Sequence, residues 1–102
     1  MKRINKIEVF NKVSSKNGLE YYEVIIFLGN TICKTNIKKF RMFYKAKYNR
    51  WTYWNKYSNK EVISMTIDPS NVIIDYRGSN YSLDFNNDGF NDSSQPQYIY
   101  KF

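Results

Sequence analysis

Residues 4–28 read INKIEVFNKVSSKNGLEYYEVIIFL, and this stretch decides the fold. In its first half, the apolar Ile7, Val9 and Val13 alternate with the charged Lys6, Glu8 and Lys12, which is the period of a half-buried strand. Its second half is rich in β-branched and aromatic residues, the types enriched in strands. An Asn-Gly pair at positions 17 and 18 separates the halves, and such a pair readily adopts the positive φ angles of a turn. The stretch therefore predicts a β-hairpin.

Strand signals continue through the rest of the chain. Short runs of β-branched and aromatic residues recur, separated by turn-forming segments such as 68–71 and 78–80. These runs predict strands over 50–57, 62–67, 72–76, 81–85 and 98–102. With 102 residues and an apolar fraction of 42%, the chain can build one core, so we expect a single domain over residues 1–102. The predicted fold is mainly β, a small antiparallel β barrel or sandwich.

Residues 36–48 fit two structures equally well. Ile37, Phe40 and Tyr44 share one face of a helix, whereas Phe40, Met42 and Tyr44 share one face of a strand. Lys, Arg, Met and Ala favour the helix, while the aromatic residues and the neighbouring strands favour an extended chain. An α+β fold, with one helix over residues 36–48 packed on the barrel, is therefore the alternative to the mainly β fold.

Positive charge is concentrated in the middle of the chain. Residues 24–60 contain nine basic residues and no Asp or Glu. Residues 1–23 contain five basic and three acidic residues, and residues 61–102 contain two basic and six acidic ones. Because the charge is polarised, one side of the protein is expected to attract a polyanion such as nucleic acid.

Aromatic residues are interleaved with these charges. Lys and Arg side chains neutralise phosphates, and exposed aromatic rings stack on unpaired bases. In the alternative interpretation the aromatic residues form the core and the cations are its solvated outer face. The candidate nucleic-acid-binding or partner-binding residues are Lys34, Lys38, Lys39, Arg41, Phe43, Lys45, Lys47, Arg50, Trp51, Tyr53 and Trp54.

Residues 84–92 carry oxygen-bearing side chains in the pattern D-x-N-x-D-G-x-x-D. This pattern resembles the calcium loops of dockerins, thrombospondin type 3 repeats and integrin-type propeller blades. The resemblance implies Ca²⁺ as a cofactor. The sequence departs from an EF-hand loop at Gln95, the position at which that loop has a bidentate Glu. In the alternative interpretation the pattern is only the tip of an Asn-rich hairpin. The implied metal ligands are Asp84, Asn86, Asp88, the carbonyl of Phe90, and Asp92.

The sequence lacks several features that catalysis, disulfide formation or export would require. There is no His, which removes the commonest general base, and the single Cys33 cannot form an intramolecular disulfide. No apolar run has the length of a signal peptide or a membrane span. We therefore expect a protein that is not an enzyme, does not bind membranes, and acts in the cytoplasm, the host's cytoplasm if the protein is viral.

These features favour a small binding protein whose basic, aromatic face engages RNA, single-stranded DNA or a nucleoprotein complex. In size and composition the chain resembles phage-encoded inhibitors of host defence, including anti-CRISPR proteins, and this resemblance implies action by occupying a surface. One alternative is a calcium-stabilised β module that recognises a protein or glycan. Another is a phage structural protein. The sequence does not determine the oligomeric state.

Overall fold

The computed structural model describes residues 3–29, 36–68, 71–86 and 94–101. These residues form eight strands and no helix. The strands are β1 (Arg3–Val13), β2 (Glu20–Gly29), β3 (Asn36–Lys45), β4 (Arg50–Asn55), β5 (Lys60–Asp68), β6 (Asn71–Tyr76), β7 (Ser79–Phe85) and β8 (Tyr98–Lys101).

The strands form a closed antiparallel barrel in which each strand pairs with the next and β8 pairs with β1. The predicted antiparallel β barrel is thus confirmed, as is the hairpin of β1 and β2. The loop of this hairpin is closed where the Ser14 N–H donates to the Leu19 carbonyl at 2.9 Å. Gly18 within it has a φ of 70°, a left-handed conformation that glycine adopts without steric cost.

The helix alternative for residues 36–48 is wrong. Over its first seven residues, Asn36 to Met42, β3 pairs with β2, so its backbone N–H and C=O groups bond to a neighbouring strand. Phe40 and Met42 point inwards with the buried side chains of β2. At the end of β3, Asn49 takes a φ of 54°, which its short polar side chain tolerates, and the chain turns back into β4. Pairing with β2 therefore determines the secondary structure of a segment whose periodicity fits both helix and strand.

The barrel interior is filled with apolar side chains, as expected for a barrel of eight strands. Every second residue along β2 and β6 is buried, which matches the two-residue period of a strand with one face inside. At one end of the barrel, burial raises the pKa of Tyr22 to about 12. The buried apolar residues are Ile7, Val9, Tyr22, Val24, Ile26, Leu28, Met42, Ile63, Met65, Val72, Ile74, Tyr76 and Leu83.

Two short ladders divide the barrel into halves. Only three residue pairs join β3 to β4, and only two join β7 to β8, within the described residues. The longer ladders group β8, β1, β2 and β3 in one half, and β4 to β7 in the other. Each half presents its own outer face. No helix with the length and apolar character of a membrane span occurs in the described part of the chain.

Neighbouring residues on β6 test the inward and outward alternation. Ile74 is fully buried, whereas the adjacent Ile73 is 37% exposed on the outer face. Replacing Ile74 by Ala should lower the free energy of unfolding by about 2–5 kcal/mol, because the change leaves a cavity in the core. The matched change Ile73→Ala should cost less than about 1 kcal/mol. Urea denaturation measures both, and equal losses would contradict the register of β6.

Candidate nucleic-acid interface

Twelve outward side chains of β1, β2 and β3 form a grid, which we call the β1–β3 outer face. Residues directly opposite each other on paired strands share a row of the grid. The rows are Lys12, Tyr21 and Phe43; then Phe10, Glu23 and Arg41; then Glu8, Ile25 and Lys39; and last Lys6, Phe27 and Ile37.

Cations and aromatic rings are in direct contact on this face. Lys6 Nζ lies 4.4 Å from the ring centroid of Phe27, and the Arg41 guanidinium lies 5.8 Å from that of Tyr21. Lys12 Nζ is also 5.8 Å from a ring centroid, that of Phe10 on its own strand. At these distances the ring quadrupole attracts the cation. Three of the four cations of the face are therefore held beside a flat π surface.

The aromatic rings remain accessible from outside. Phe43 is 49% exposed and stacks on Tyr21, with ring centroids 5.8 Å apart and planes inclined by 29°. Phe10 and Phe27 are half-buried, so part of each ring also faces solvent. The rings of the face therefore offer stacking surface to a partner, Phe43 most of all.

The charges of the face are unevenly distributed. Its two carboxylates belong to Glu8 on β1 and Glu23 on β2, and Glu8 lies 3.8 Å from Lys6 Nζ. The β3 column contains Lys39 and Arg41 but no carboxylate. A polyanion would therefore meet least repulsion along β3.

The structure brings together only part of the set predicted from the sequence. Lys39, Arg41 and Phe43 belong to the β1–β3 outer face, and Lys45 extends the same column of β3. Lys47 lies in the exposed turn between β3 and β4.

One of the predicted residues, Lys38, lies away from the face. Lys38 is exposed, although it lies on the same side of β3 as the inward-pointing Phe40 and Met42. It is exposed because it lies near the beginning of β3, at the open end of the barrel. Lys34 lies outside the described residues.

The predicted residues of β4 divide between the inside and the outside of the barrel. Trp51 packs against the core and meets the ring of Tyr22 edge-on, at 4.7 Å between centroids. Tyr53 also points inwards and contacts Phe40 at 5.3 Å. Trp54 points outwards, where its Nε1 donates to Thr52 Oγ1 at 3.1 Å.

Arg50 on β4 is engaged within the protein. Its Nη2 donates to both carboxylate oxygens of Glu61 at 2.9 Å, and its guanidinium lies 5.1 Å from the ring centroid of Tyr48. Tyr48 stacks in turn on Trp54 at 6.4 Å. This cluster covers the outer side of β4 and adjoins the β3 column, where Arg50 pairs directly with Lys45. Arg50 therefore adds to the packing of β4 and is already paired with a carboxylate.

Five cations and rings of the face are absent from the set predicted from the sequence, because they lie outside the densest run of charge. For Tyr21 and Phe27 the signal is the second half of the hairpin, which is apolar at nearly every position instead of at alternate ones. Such a run predicts a strand with both faces covered or in contact with a partner. The missed residues are Lys6, Phe10, Lys12, Tyr21 and Phe27.

The predicted calcium loop is described only at its beginning. Asp84 is exposed near the end of β7, while Asn86 is buried and its side-chain amide donates to the Pro96 carbonyl at 2.8 Å. Asp88, Phe90 and Asp92 lie outside the described residues. Among the described residues, no group of three or more Asp, Glu, Cys or His side chains could hold a metal ion. Calcium binding at residues 84–92 therefore stays a prediction.

Comparison of the chain with protein-family models, with curated proteins and with solved structures finds no match. The function is therefore inferred from the chemistry of the described surface.

The two tryptophans provide a test of this division of β4. Trp51→Ala should lower the free energy of unfolding by about 3–5 kcal/mol, because the indole packs against the core. Trp54→Ala should cost only about 1–2 kcal/mol, since its partly buried ring lies on the outer side of β4 and not against the core. Thermal or urea denaturation followed by circular dichroism measures both. A larger loss for Trp54→Ala would contradict the inward placement of Trp51.

Proposed function

We propose that this protein is a small, non-enzymatic binding protein that holds nucleic acid, RNA or single-stranded DNA, across the β1–β3 outer face. One observation carries the proposal: four cations and four aromatic rings share a single continuous face, three of the cations each within 6 Å of a ring. Cations supply affinity for phosphates, and rings supply stacking surfaces for bases.

A solvated basic face is the competing explanation. It accounts for exposed lysines, but it gives no reason for accessible aromatic rings on the outside of a barrel whose core is already filled. It also gives no reason for the contacts between cations and rings. Nucleic acid accounts for both features, because it presents phosphates and flat bases together.

The biological process is a further part of the proposal. A face that holds RNA or single-stranded DNA could also engage the nucleic acid of a nucleoprotein complex. Inhibition of such a complex by occupancy would agree with the resemblance to phage-encoded inhibitors of host defence. The proposal requires neither an enzymatic step nor calcium.

Charge reversal on β3 tests the proposal. The unmodified protein should bind a fluorescein-labelled ten-nucleotide oligonucleotide, with log affinity falling linearly with log salt and a slope of about −2 to −3 for three or four neutralised phosphates. Lys39→Glu combined with Arg41→Glu should weaken binding at least tenfold and reduce the slope by about half. Fluorescence anisotropy at several salt concentrations measures both quantities.

The matched control combines Lys56→Glu with Lys60→Glu. Both are exposed at the turn between β4 and β5, and the double change alters the net charge by the same amount. The control should retain most of the affinity. Equal weakening by the two double variants would show attraction by net charge alone, and absence of binding by the unmodified protein would contradict the proposed function.

A further inference from the structure

The β1–β3 outer face has a repeat that limits which form of nucleic acid fits it. Successive rows are two residues apart along the strands, so they are separated by about 6.8 Å. In stacked B-form DNA, the nucleotides of one strand are separated by about 3.4 Å along the axis. The rows therefore match a strand whose bases are pulled apart from one another, with one nucleotide for each row.

The columns of the grid suggest where phosphates and bases lie. On β3, Lys39, Arg41 and Lys45 point outwards, and no carboxylate occurs among the described residues of this strand. The adjacent column on β2 contains the ring surfaces of Tyr21 and Phe27. Phosphates at Lys39, Arg41 and Lys45 would thus place bases over the rings of β2 and over Phe43, which stacks on Tyr21 at the end of the face.

Stacking surface is richest in the row of Tyr21 and Phe43. These two rings lie together, and the guanidinium of Arg41 lies over Tyr21 from the next row. A base on Phe43 would contact a half-exposed ring, and Arg41 would remain within reach of the adjacent phosphate. This arrangement requires a base that is not paired with another strand, because pairing in a duplex keeps the base in its own stack.

Building on the proposed function, we infer that the β1–β3 outer face binds a single strand of about four unstacked nucleotides, with phosphates at the β3 cations and bases over the rings of β2 and Phe43. The face discriminates against a duplex and against a phosphate backbone without bases. Phe43 is its principal exposed stacking residue.

The experiment measures anisotropy with four probes: oligothymidylates of two to ten nucleotides, an abasic oligonucleotide of ten nucleotides, a ten-base-pair duplex, and the matching oligouridylates. Affinity should rise steeply up to about four nucleotides and then only slightly, since further length adds alternative positions and no new contacts. The abasic strand and the duplex should each bind at least tenfold more weakly than the ten-nucleotide thymidylate.

Phe43→Ala should weaken binding of the thymidylate at least fivefold and leave the weak binding of the abasic strand unchanged. The control is Tyr57→Ala, because Tyr57 is 98% exposed in the turn between β4 and β5, away from the face. It should bind like the unmodified protein. Circular dichroism verifies that both variants are folded.

The possible failures are distinguishable. If the abasic strand or the duplex binds as tightly as the thymidylate, the inference is wrong while nucleic-acid binding by phosphate contacts stands. If affinity rises evenly to ten nucleotides, the four-row footprint is wrong. If none of the four probes binds, the proposed function itself fails.

Discussion

The register of β2 between β1 and β3 is the constraint on which the rest of the structure depends. β2 pairs with both neighbours along nearly its whole length, so it sets which side chains of three strands face the core. A slip of one residue would exchange the two faces, placing Glu23 inside the barrel and Val24 outside. Burial of Val24 and Ile26 therefore also determines the outward grid of cations and rings. The core and the candidate interface are two consequences of one alignment.

This alignment also explains why aromatic residues serve two purposes in the same protein. Inward rings such as Trp51 fill the barrel and limit the space that further large side chains can occupy. Outward rings are then left at the surface, where nearby lysines and arginine contact them. On β4, by contrast, the outward Trp54 is covered by Tyr48, and Arg50 is paired with Glu61. The two outer faces thus differ in composition: one combines four cations and four rings in a single grid, and on the other Arg50 is held in a bidentate pair with Glu61.

Much of the fold could be predicted from the sequence, because alternation along β1 and the turn at Gly18 are local signals. Residues 36–48 could not be decided, since helical and extended periods coincide there and only pairing with β2 separates them. Only part of the candidate site could be predicted, because it too depends on how the strands are paired. A run of charge along the chain does not define a surface, because the turn after β3 reverses the chain and alternation then sends Trp51 inwards and Trp54 outwards. The contribution of β1 and β2 appears only when three strands are placed side by side.

The central claim is that the β1–β3 outer face is the binding surface, and a titration followed by nuclear magnetic resonance tests it most directly. Tetrathymidylate would be added to the ¹⁵N-labelled protein, and shifts of backbone amides would be mapped onto the strands. The account predicts that the largest shifts fall on β1, β2 and β3, with Arg41 and Phe43 among them, and that β6 and β7 change little. Largest shifts around Trp54 and Tyr48, or no shifts at millimolar oligonucleotide, would contradict it.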